Sequence, residues 1–335
     1  MKKFLFFLLL YSLLSCEKEA PRSFQKLEGH AFGTTFHITM DDIDGKVKES
    51  DIDSLIYVMN RSLSTYQPNS DISKINRGDT TVLVDDLFVE VFEKSSKIYE
   101  ETAGAFDPTI GILVNAWGFG PGKAINKMEK EQVDSLMVYV GFDKLKLEGQ
   151  KIRKTYPETF LDFNANAKGF AVDLIGRFLE LQGIANYLVE IGGEIRARGL
   201  NGKKQKWKIA IEKPNFDGSR SFQTIIALDN ESIATSGNYR KFKVDSLSGE
   251  KYAHTIDTRT GYPSKSNLLS ASVIGSKDCA DVDGYATAFM AMGLEQSLRF
   301  LEEHDELKAF LIFSNTNSQL ETYTTDNLLS EGQGH

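Results

Sequence analysis

The chain has 335 residues and a formal net charge of −8, and 41% of its residues are hydrophobic against 26% charged. These values are typical of a globular protein and exclude an intrinsically disordered or fibrous chain. The acidic balance argues against a nucleic-acid-binding protein, because a phosphate backbone attracts a basic surface. The two cysteines, Cys16 and Cys279, allow neither a zinc site of four cysteines nor a disulfide within the folded body.

The N-terminus begins with a charged and then an apolar segment. Lys2 and Lys3 precede an apolar run from Phe4 to Leu14, which is shorter than the about 20 residues that a membrane-spanning helix needs. This arrangement is typical of a secretory signal. The end of the run, Leu13-Leu14-Ser15-Cys16, resembles the bacterial lipobox, which implies cleavage before Cys16 and a lipid on this cysteine. A plain signal peptide with an incidental cysteine is the alternative.

Beyond this leader, helical and strand-like patterns alternate irregularly, with neither an internal repeat nor a low-complexity linker. Apolar residues at helical spacing predict helices over residues 52–63, 87–98, 171–179 and from 281, the last interrupted at Gly293. Stretches typical of strands lie at 35–40, 187–191, 207–211, 222–228, 269–274 and 309–313. This order lacks a steady strand–helix–strand rhythm, so we expect the α+β class, with mixed sheets and packed helices.

The same patterns divide the chain into four parts. We expect a signal peptide at 1–15, a polar tether at 16–26, one folded domain at 27–325 and a polar tail at 326–335. The tail is expected to fray, because it offers little apolar surface for packing.

Several short motifs follow one another between Gly33 and Thr287. The strongest are Phe106-Asp107-Pro108-Thr109 with Val114-Asn115-Ala116-Trp117-Gly118-Phe119-Gly120-Pro121, then Ala167-Lys168-Gly169, then Val189-Glu190-Ile191-Gly192-Gly193-Glu194, and finally His254-Thr255-Ile256-Asp257 with Arg259-Thr260-Gly261. In this order, over nearly the whole mature chain, the motifs resemble those of the ApbE family, the FAD:protein FMN transferases.

The resemblance implies a fold and a reaction. The fold is ApbE-like, one compact unit of two intertwined subdomains. In the reaction, FAD bound with Mg²⁺ is split at its pyrophosphate, FMN passes to a threonine hydroxyl of a target protein, and AMP is released. Family targets are subunits of membrane redox complexes. They face the outer side of the cytoplasmic membrane, which agrees with export and lipid anchoring on the periplasmic side of the inner membrane.

Two residues of a predicted helix are candidates for a metal site. Asp283 and Thr287 are four residues apart and therefore share one helix face. A carboxylate and a hydroxyl supply the oxygen ligands that Mg²⁺ prefers. The resemblance assigns the metal to this pair and to the backbone carbonyl of Ala165. Without it, a solvated helix acid and a small packing residue would be the simpler interpretations.

A lysine at the start of a predicted helix is a candidate for phosphate binding. Lys168 lies where backbone N–H groups and the helix dipole favour an anion, although a surface lysine is the alternative. The resemblance places FAD contacts at this lysine and at Phe32, Tyr66, Ala105, Phe106, Asp107, Asp162 and Ile256. Two of these are aromatic and could stack on the flavin ring, unless they are core residues.

His254 is the best candidate for a general base among the five histidines. The incoming threonine hydroxyl must lose a proton, and an imidazole can take it near neutral pH. A histidine that is structural, or that only contacts FAD, is the alternative.

The sequence departs from the family pattern at a few positions. Asn164 replaces the usual serine, and Asn166 replaces the usual isoleucine. Thr258 replaces a common proline, and Gly284-Tyr285 replaces a common Ala-Trp pair. None of these changes removes a metal-binding oxygen or the lysine. They bear on the packing of the flavin ring and on the range of substrates.

Two other functions compete with the transferase. Some members of the family split FAD into FMN and AMP with water, and such an FAD pyrophosphatase would use the same ground-state site. A lipid-anchored protein that only binds or stores flavin is the other alternative. The paired Asp283 and Thr287 argue against storage, because storage needs no metal.

Overall fold

The computed structural model describes residues 24–42, 44–125, 128–212, 222–238, 242–244, 251–317 and 319–332. The predicted signal peptide, Cys16 and most of the tether lie outside the described residues. Within those ranges no helix is both long and apolar enough to cross a membrane.

The strands are short, and their pairings in the described residues are antiparallel. Their bounds are β1 Gln25–Ala31, β2 Thr34–Met40, β3 Leu145–Glu148, β4 Lys151–Lys154, β5 Tyr187–Ile191, β6 Glu194–Arg198, β7 Trp207–Glu212, β8 Phe222–Leu228, β9 Ser232–Gly237, β10 Phe242–Val244, β11 Lys251–Ala253, β12 Leu268–Gly275, β13 Lys308–Ser314 and β14 Leu320–Thr324. Eight of them form the main sheet in the order β1-β2-β5-β6-β9-β12-β13-β14. The others form the hairpins β3–β4, β7–β8 and β10–β11.

The helices pack mainly on one face of this sheet. Their bounds are α1 Glu49–Leu63, α2 Asp71–Asn76, α3 Asp86–Glu101, α4 Gly111–Ala116, α5 Lys130–Met137, α6 Ala167–Leu181, α7 Cys279–Met292, α8 Leu294–Glu303 and α9 Asp326–Gly332, with a 3₁₀ turn at Phe142–Lys144. The largest apolar core lies between the sheet and helices α1, α3, α6 and α7. A second core lies under the β7–β8 hairpin and α9.

The sheet opens between two of its central strands. β6 and β9 pair only at Ile195↔Ile233 and Arg196↔Ser232, whereas β9 pairs with β12 along its whole length. Towards Glu194 and Ala234 the two strands therefore diverge. This opening is the place in the fold where a cavity can enter the sheet.

Helices α6 and α7 cross very closely beside this opening. A Cβ added at Gly169 would lie 2.5 Å from the carbonyl oxygen of Cys279, so only glycine fits there. The buried Asp173 of α6 accepts hydrogen bonds from the backbone N–H groups of Cys279 and Ala280, each at 2.8 Å. Its carboxylate also pairs with Arg196 of β6 at 2.8 Å. These contacts hold the N-terminus of α7 against α6 and β6.

The α+β class is confirmed, and the predicted helices and strands are present with small shifts at their ends. The described strand pairings are antiparallel where mixed sheets were expected, and β1 begins at Gln25, inside the segment 16–26 that was predicted to be a tether. The predicted frayed tail is wrong for most of its length. Residues 326–332 form α9, and Leu328 is buried in the second core because it meets an apolar face that the sequence pattern does not reveal.

Candidate functional site

A cavity of about 900 Å³ enters the molecule at the opening between β6 and β9. This volume lies in the upper part of the range for small-molecule sites. Eleven of the predicted site residues line it, namely Tyr66, Ala105, Phe106, Asp107, Asp162, Ala165, Lys168, His254, Ile256, Asp283 and Thr287. Phe32 does not line the cavity; it lies in the β1–β2 turn beside a separate shallow depression, with φ of 52°.

The three predicted metal-binding residues meet at the junction of α6 and α7. Asp283 is 3% exposed, and one of its oxygens accepts a hydrogen bond from the N–H of Gly169 at 3.1 Å. The Thr287 hydroxyl donates to the carbonyl oxygen of Ala165 at 3.3 Å. Ser236 Oγ of β9 lies 3.3 Å from Thr287 Oγ1 and brings a further oxygen to this corner of the cavity.

This corner suits a hard divalent cation. Burial, together with the charge of Glu194, raises the pKa of Asp283 to about 8, so the carboxyl is poorly compensated by the protein alone. A cation beside it would favour its ionised form. The donors are a carboxylate, a hydroxyl and a carbonyl, which match Mg²⁺ better than a soft metal. The described residues contain no cluster of three or more His, Cys, Asp or Glu that could hold a metal in another way.

Lys168 lies in the first turn of α6 and is not a free surface lysine. Its Nζ is 2.5 Å from Oε1 of Glu194, whose side chain is 3% exposed. Burial alone would lower the pKa of Lys168, but the carboxylates of Glu194 and Asp283 raise it above its ordinary value. The ammonium therefore remains charged inside the cavity.

Two further acids line the cavity away from the lysine. Burial raises the pKa of Asp107 and that of Asp162 to about 6 in each case. Asp107 accepts hydrogen bonds from the backbone N–H and the hydroxyl of Thr109, at 2.7 and 2.6 Å. Asp162 accepts from the backbone N–H of Asn164 at 2.9 Å. Both side chains can present a proton donor or an acceptor to a ligand near neutral pH.

The His254–Gly261 segment forms one wall of the cavity. Side-chain hydrogen bonds hold it to distant parts of the chain. Thr255 Oγ1 donates to Asn238 Oδ1 at 2.8 Å, Thr258 Oγ1 to the Gly104 carbonyl at 2.7 Å, and Trp117 Nε1 to the Gly261 carbonyl at 2.9 Å. These contacts, all on the C-terminal side of His254, hold the segment that carries the histidine at the cavity.

The departures from the family pattern lie at different distances from the cavity. Asn164 lines it and donates to Thr65 Oγ1 at 3.1 Å. Asn166 is buried and donates to Ser95 Oγ at 3.1 Å, and the Tyr285 hydroxyl donates to Glu101. Of these three, only Asn164 is therefore placed to affect the ligand directly.

Glu194 and Ser236 are among the cavity residues to which the sequence analysis gave no role. Glu194 belongs to a motif that was noted, but its pairing with Lys168 across 26 residues of sequence could not be read from that motif. Ser236 lies beside Thr287 of the predicted metal site only because β9 packs against α7. The motif Ala234-Thr235-Ser236-Gly237 carries no signal of that contact by itself.

The structure is that of an α+β protein with a cavity of about 900 Å³ that is lined by several acids and by a group of neutral oxygen donors beside Asp283. The sequence profile of the ApbE family matches residues 32–311, and the chain belongs to this family. It is 38% identical over 301 residues to the FAD:protein FMN transferase of Vibrio cholerae serotype O1, covering 88% of each chain. It is 35% identical over 320 residues to the enzyme of the same name from Haemophilus influenzae, covering 91% of this chain and 90% of the relative.

Solved structures agree with this assignment. The flavin transferase ApbE from Vibrio cholerae superposes with a TM-score of 0.82 at 32% identity, covering 93% of this chain and 100% of the other. The apo form of the Pseudomonas stutzeri flavinyl transferase ApbE gives a TM-score of 0.82 at 30% identity, covering 93% and 98%. The expected family is therefore confirmed.

Proposed function

We propose that this protein transfers FMN from FAD to a threonine hydroxyl of a target protein, with release of AMP and with Mg²⁺ as cofactor. The observation that carries the proposal is the meeting of the Asp283, Thr287 and Ala165 oxygens with Lys168 in one cavity. Relatives that match most of the chain bear the name FAD:protein FMN transferase, which supports the same reaction.

The residues of the cavity divide the work between binding and proton transfer. Lys168 faces the phosphates, and Asp162 and Tyr66 contact the rest of FAD. Asp283, Thr287 and the Ala165 carbonyl would hold Mg²⁺, which would neutralise negative charge on the phosphate oxygens. His254 takes the proton of the acceptor threonine. The threonine oxygen then bonds to the phosphorus of the FMN half, the bond from this phosphorus to the bridging oxygen breaks, and AMP leaves.

The acid-rich lining supports the need for a cation. Lys168 is the one lysine or arginine among the described lining residues, whereas Asp107, Asp162 and Glu194 all line the cavity. A pyrophosphate would meet net negative charge in such a site, and a divalent cation removes that repulsion.

A direct experiment mixes the purified protein with FAD, Mg²⁺ and a candidate acceptor domain. Flavin fluorescence on the acceptor in a denaturing gel supports transfer, and the Asp283→Asn variant should lose it. FMN and AMP without a labelled acceptor would instead show an FAD pyrophosphatase. FAD that remains intact in every mixture would show a flavin-binding protein without catalysis.

We also propose that the protein is exported and lipid-anchored through Cys16 on the periplasmic side of the inner membrane. The support is the charged and apolar leader that ends in Leu-Leu-Ser-Cys. From that location the acceptor would be a subunit of a membrane redox complex.

A further inference from the structure

The Val189–Glu194 motif supplies a buried glutamate that has no role in the mechanism above. Glu194 begins β6 at the opening of the sheet and is 2% exposed. Its Oε1 pairs with Lys168, and in the described part of the chain no hydrogen-bond donor reaches its Oε2. A buried carboxylate needs compensation, and Lys168 provides most of it.

This pairing creates a conflict for phosphate binding. Lys168 is the fixed positive charge that a pyrophosphate could use among the described lining residues. Moving its ammonium from Glu194 to a phosphate oxygen would leave the glutamate buried and unpaired. Breaking a buried ion pair in this way is unfavourable.

We propose that Glu194 positions Lys168 and makes pyrophosphate binding conditional on the divalent cation, an inference that rests on the proposed function. A cation held at Asp283 would bring positive charge to the start of α6, because Asp283 accepts a hydrogen bond from the N–H of Gly169, the residue after Lys168, and the Lys168 ammonium is paired with Glu194. Lys168 can then contact a phosphate while Glu194 stays compensated. In the absence of the cation, Glu194 retains the lysine and FAD binds weakly.

The inference is tested by the coupling between cation and FAD binding. Dissociation constants for FAD are measured by flavin fluorescence in EDTA and in saturating Mg²⁺, with chromatography to show that FAD stays intact. We expect Glu194→Gln to bind FAD about tenfold more tightly than wild type in EDTA, and similarly in Mg²⁺. The coupling factor is the ratio of the FAD dissociation constant in EDTA to that in Mg²⁺, and in Glu194→Gln it should fall by about the same tenfold. Coupling factors between linked sites are commonly about 5- to 150-fold.

Two further variants test whether the effect depends on the ion pair between Lys168 and Glu194. Glu190→Gln removes another acid of the lining, but Glu190 pairs with His37 at 2.7 Å and accepts from the N–H of Gly193. We expect it to leave the coupling factor unchanged. Lys168→Met should lower the coupling factor by itself, because no lysine remains to be released. Added to Glu194→Gln, it should abolish the tighter binding in EDTA.

Three results would contradict the inference. Weaker FAD binding by Glu194→Gln in EDTA would show a direct ligand contact or a purely structural role. If Glu190→Gln gained the same FAD affinity in EDTA, the effect would be a general one of removing negative charge from the cavity. An unchanged coupling factor in both Glu194→Gln and Lys168→Met would overturn the inference while leaving the proposed function intact. If the wild type binds no FAD in either condition, the proposed function fails and the inference fails with it.

Discussion

At the scale of single residues, burial decides how the acids of the cavity behave. Asp107 is 7% exposed, and its carboxylate accepts hydrogen bonds from the N–H and the hydroxyl of Thr109. Desolvation outweighs these two hydrogen bonds and raises the pKa of Asp107 from 3.8 to about 6. The folded protein therefore holds a proton on this group at pH values where the unfolded chain has released it.

Asp107→Asn should change the pH dependence of stability. Between about pH 4 and pH 6 the folded state binds more protons at this position, so wild-type stability falls as pH rises through this window. Asparagine keeps the hydrogen-bond acceptor and loses the titration. The free energy of unfolding of the variant minus that of the wild type should therefore increase by about 2 kcal/mol between pH 4.5 and pH 7.5. Urea unfolding at several pH values measures it, and a difference that stays constant with pH would contradict the pKa shift.

His254→Asn should separate proton transfer from binding. A general base contributes about 10²–10⁴-fold to a rate, so turnover at saturating FAD should fall by that factor while the FAD dissociation constant changes little. Single-turnover transfer and fluorescence titration measure the two quantities. His304→Asn is the control, because His304 stacks on Phe300 and is not among the residues that line the cavity, so the substitution should leave both quantities unchanged. Weaker FAD binding with normal saturated transfer would make His254 a ligand contact instead.

At the scale of secondary structure, the crossing of α6 and α7 brings together the residues of the predicted metal site. Lys168 and Gly169 begin one helix, and Asp283 and Thr287 lie on the other. The N–H of Gly169 donates to Asp283, so the crossing itself orients the carboxylate. The Ala-Lys-Gly motif is therefore explained by both chemistry and packing: the lysine faces the cavity and the glycine allows the helices to touch.

Gly169→Ala should lower the thermal stability of the protein more than Gly284→Ala does. The added methyl at Gly169 would lie 2.5 Å from a backbone oxygen, whereas at Gly284 it would lie 2.5 Å from Cδ1 of Ile98, the end of a side chain. Both changes gain the same helix propensity, so the difference reports the clash. Overpacking commonly costs about 1–3 kcal/mol, and we expect the larger loss of thermal stability at Gly169. Mg²⁺ binding should also weaken only there, and equal effects would contradict this account of the motif.

At the scale of the whole molecule, the cavity is assembled from segments that are far apart in the chain. The Ala165 carbonyl and Thr287 are 122 residues apart, and Trp117 reaches Gly261 across 144 residues. The short pairing of β6 with β9 gives the cavity its entrance.

Cys16→Ser should release the protein from the membrane fraction. The leader is too short to span a bilayer, and a lipid on Cys16 would provide the attachment. Cell fractionation and metabolic labelling with a fatty acid measure the effect, and Cys279→Ser serves as the control because Cys279 is buried and free. A Cys16→Ser variant that stays labelled and membrane-bound would rule out the lipid anchor.

Local sequence patterns were enough to predict the strongly periodic elements and the residues inside recognisable motifs. Helices such as Ala167–Leu181 and strands such as Tyr187–Ile191 follow from local apolar spacing, which acts over a few residues. Weakly patterned elements were missed, including β6 and β9, because tertiary pairing rather than propensity stabilises them. Helix α9 was missed for the same reason.

How the motif residues act together depends on contacts that form in the folded protein. Eleven of them share one cavity, but Phe32 does not, since its hairpin turn projects elsewhere. The ion pair of Lys168 with Glu194 and the raised pKa values of Asp107 and Asp283 depend on burial and on neighbours distant in sequence. Desolvation and Coulomb interaction act through space, so the order of residues along the chain does not contain them in readable form.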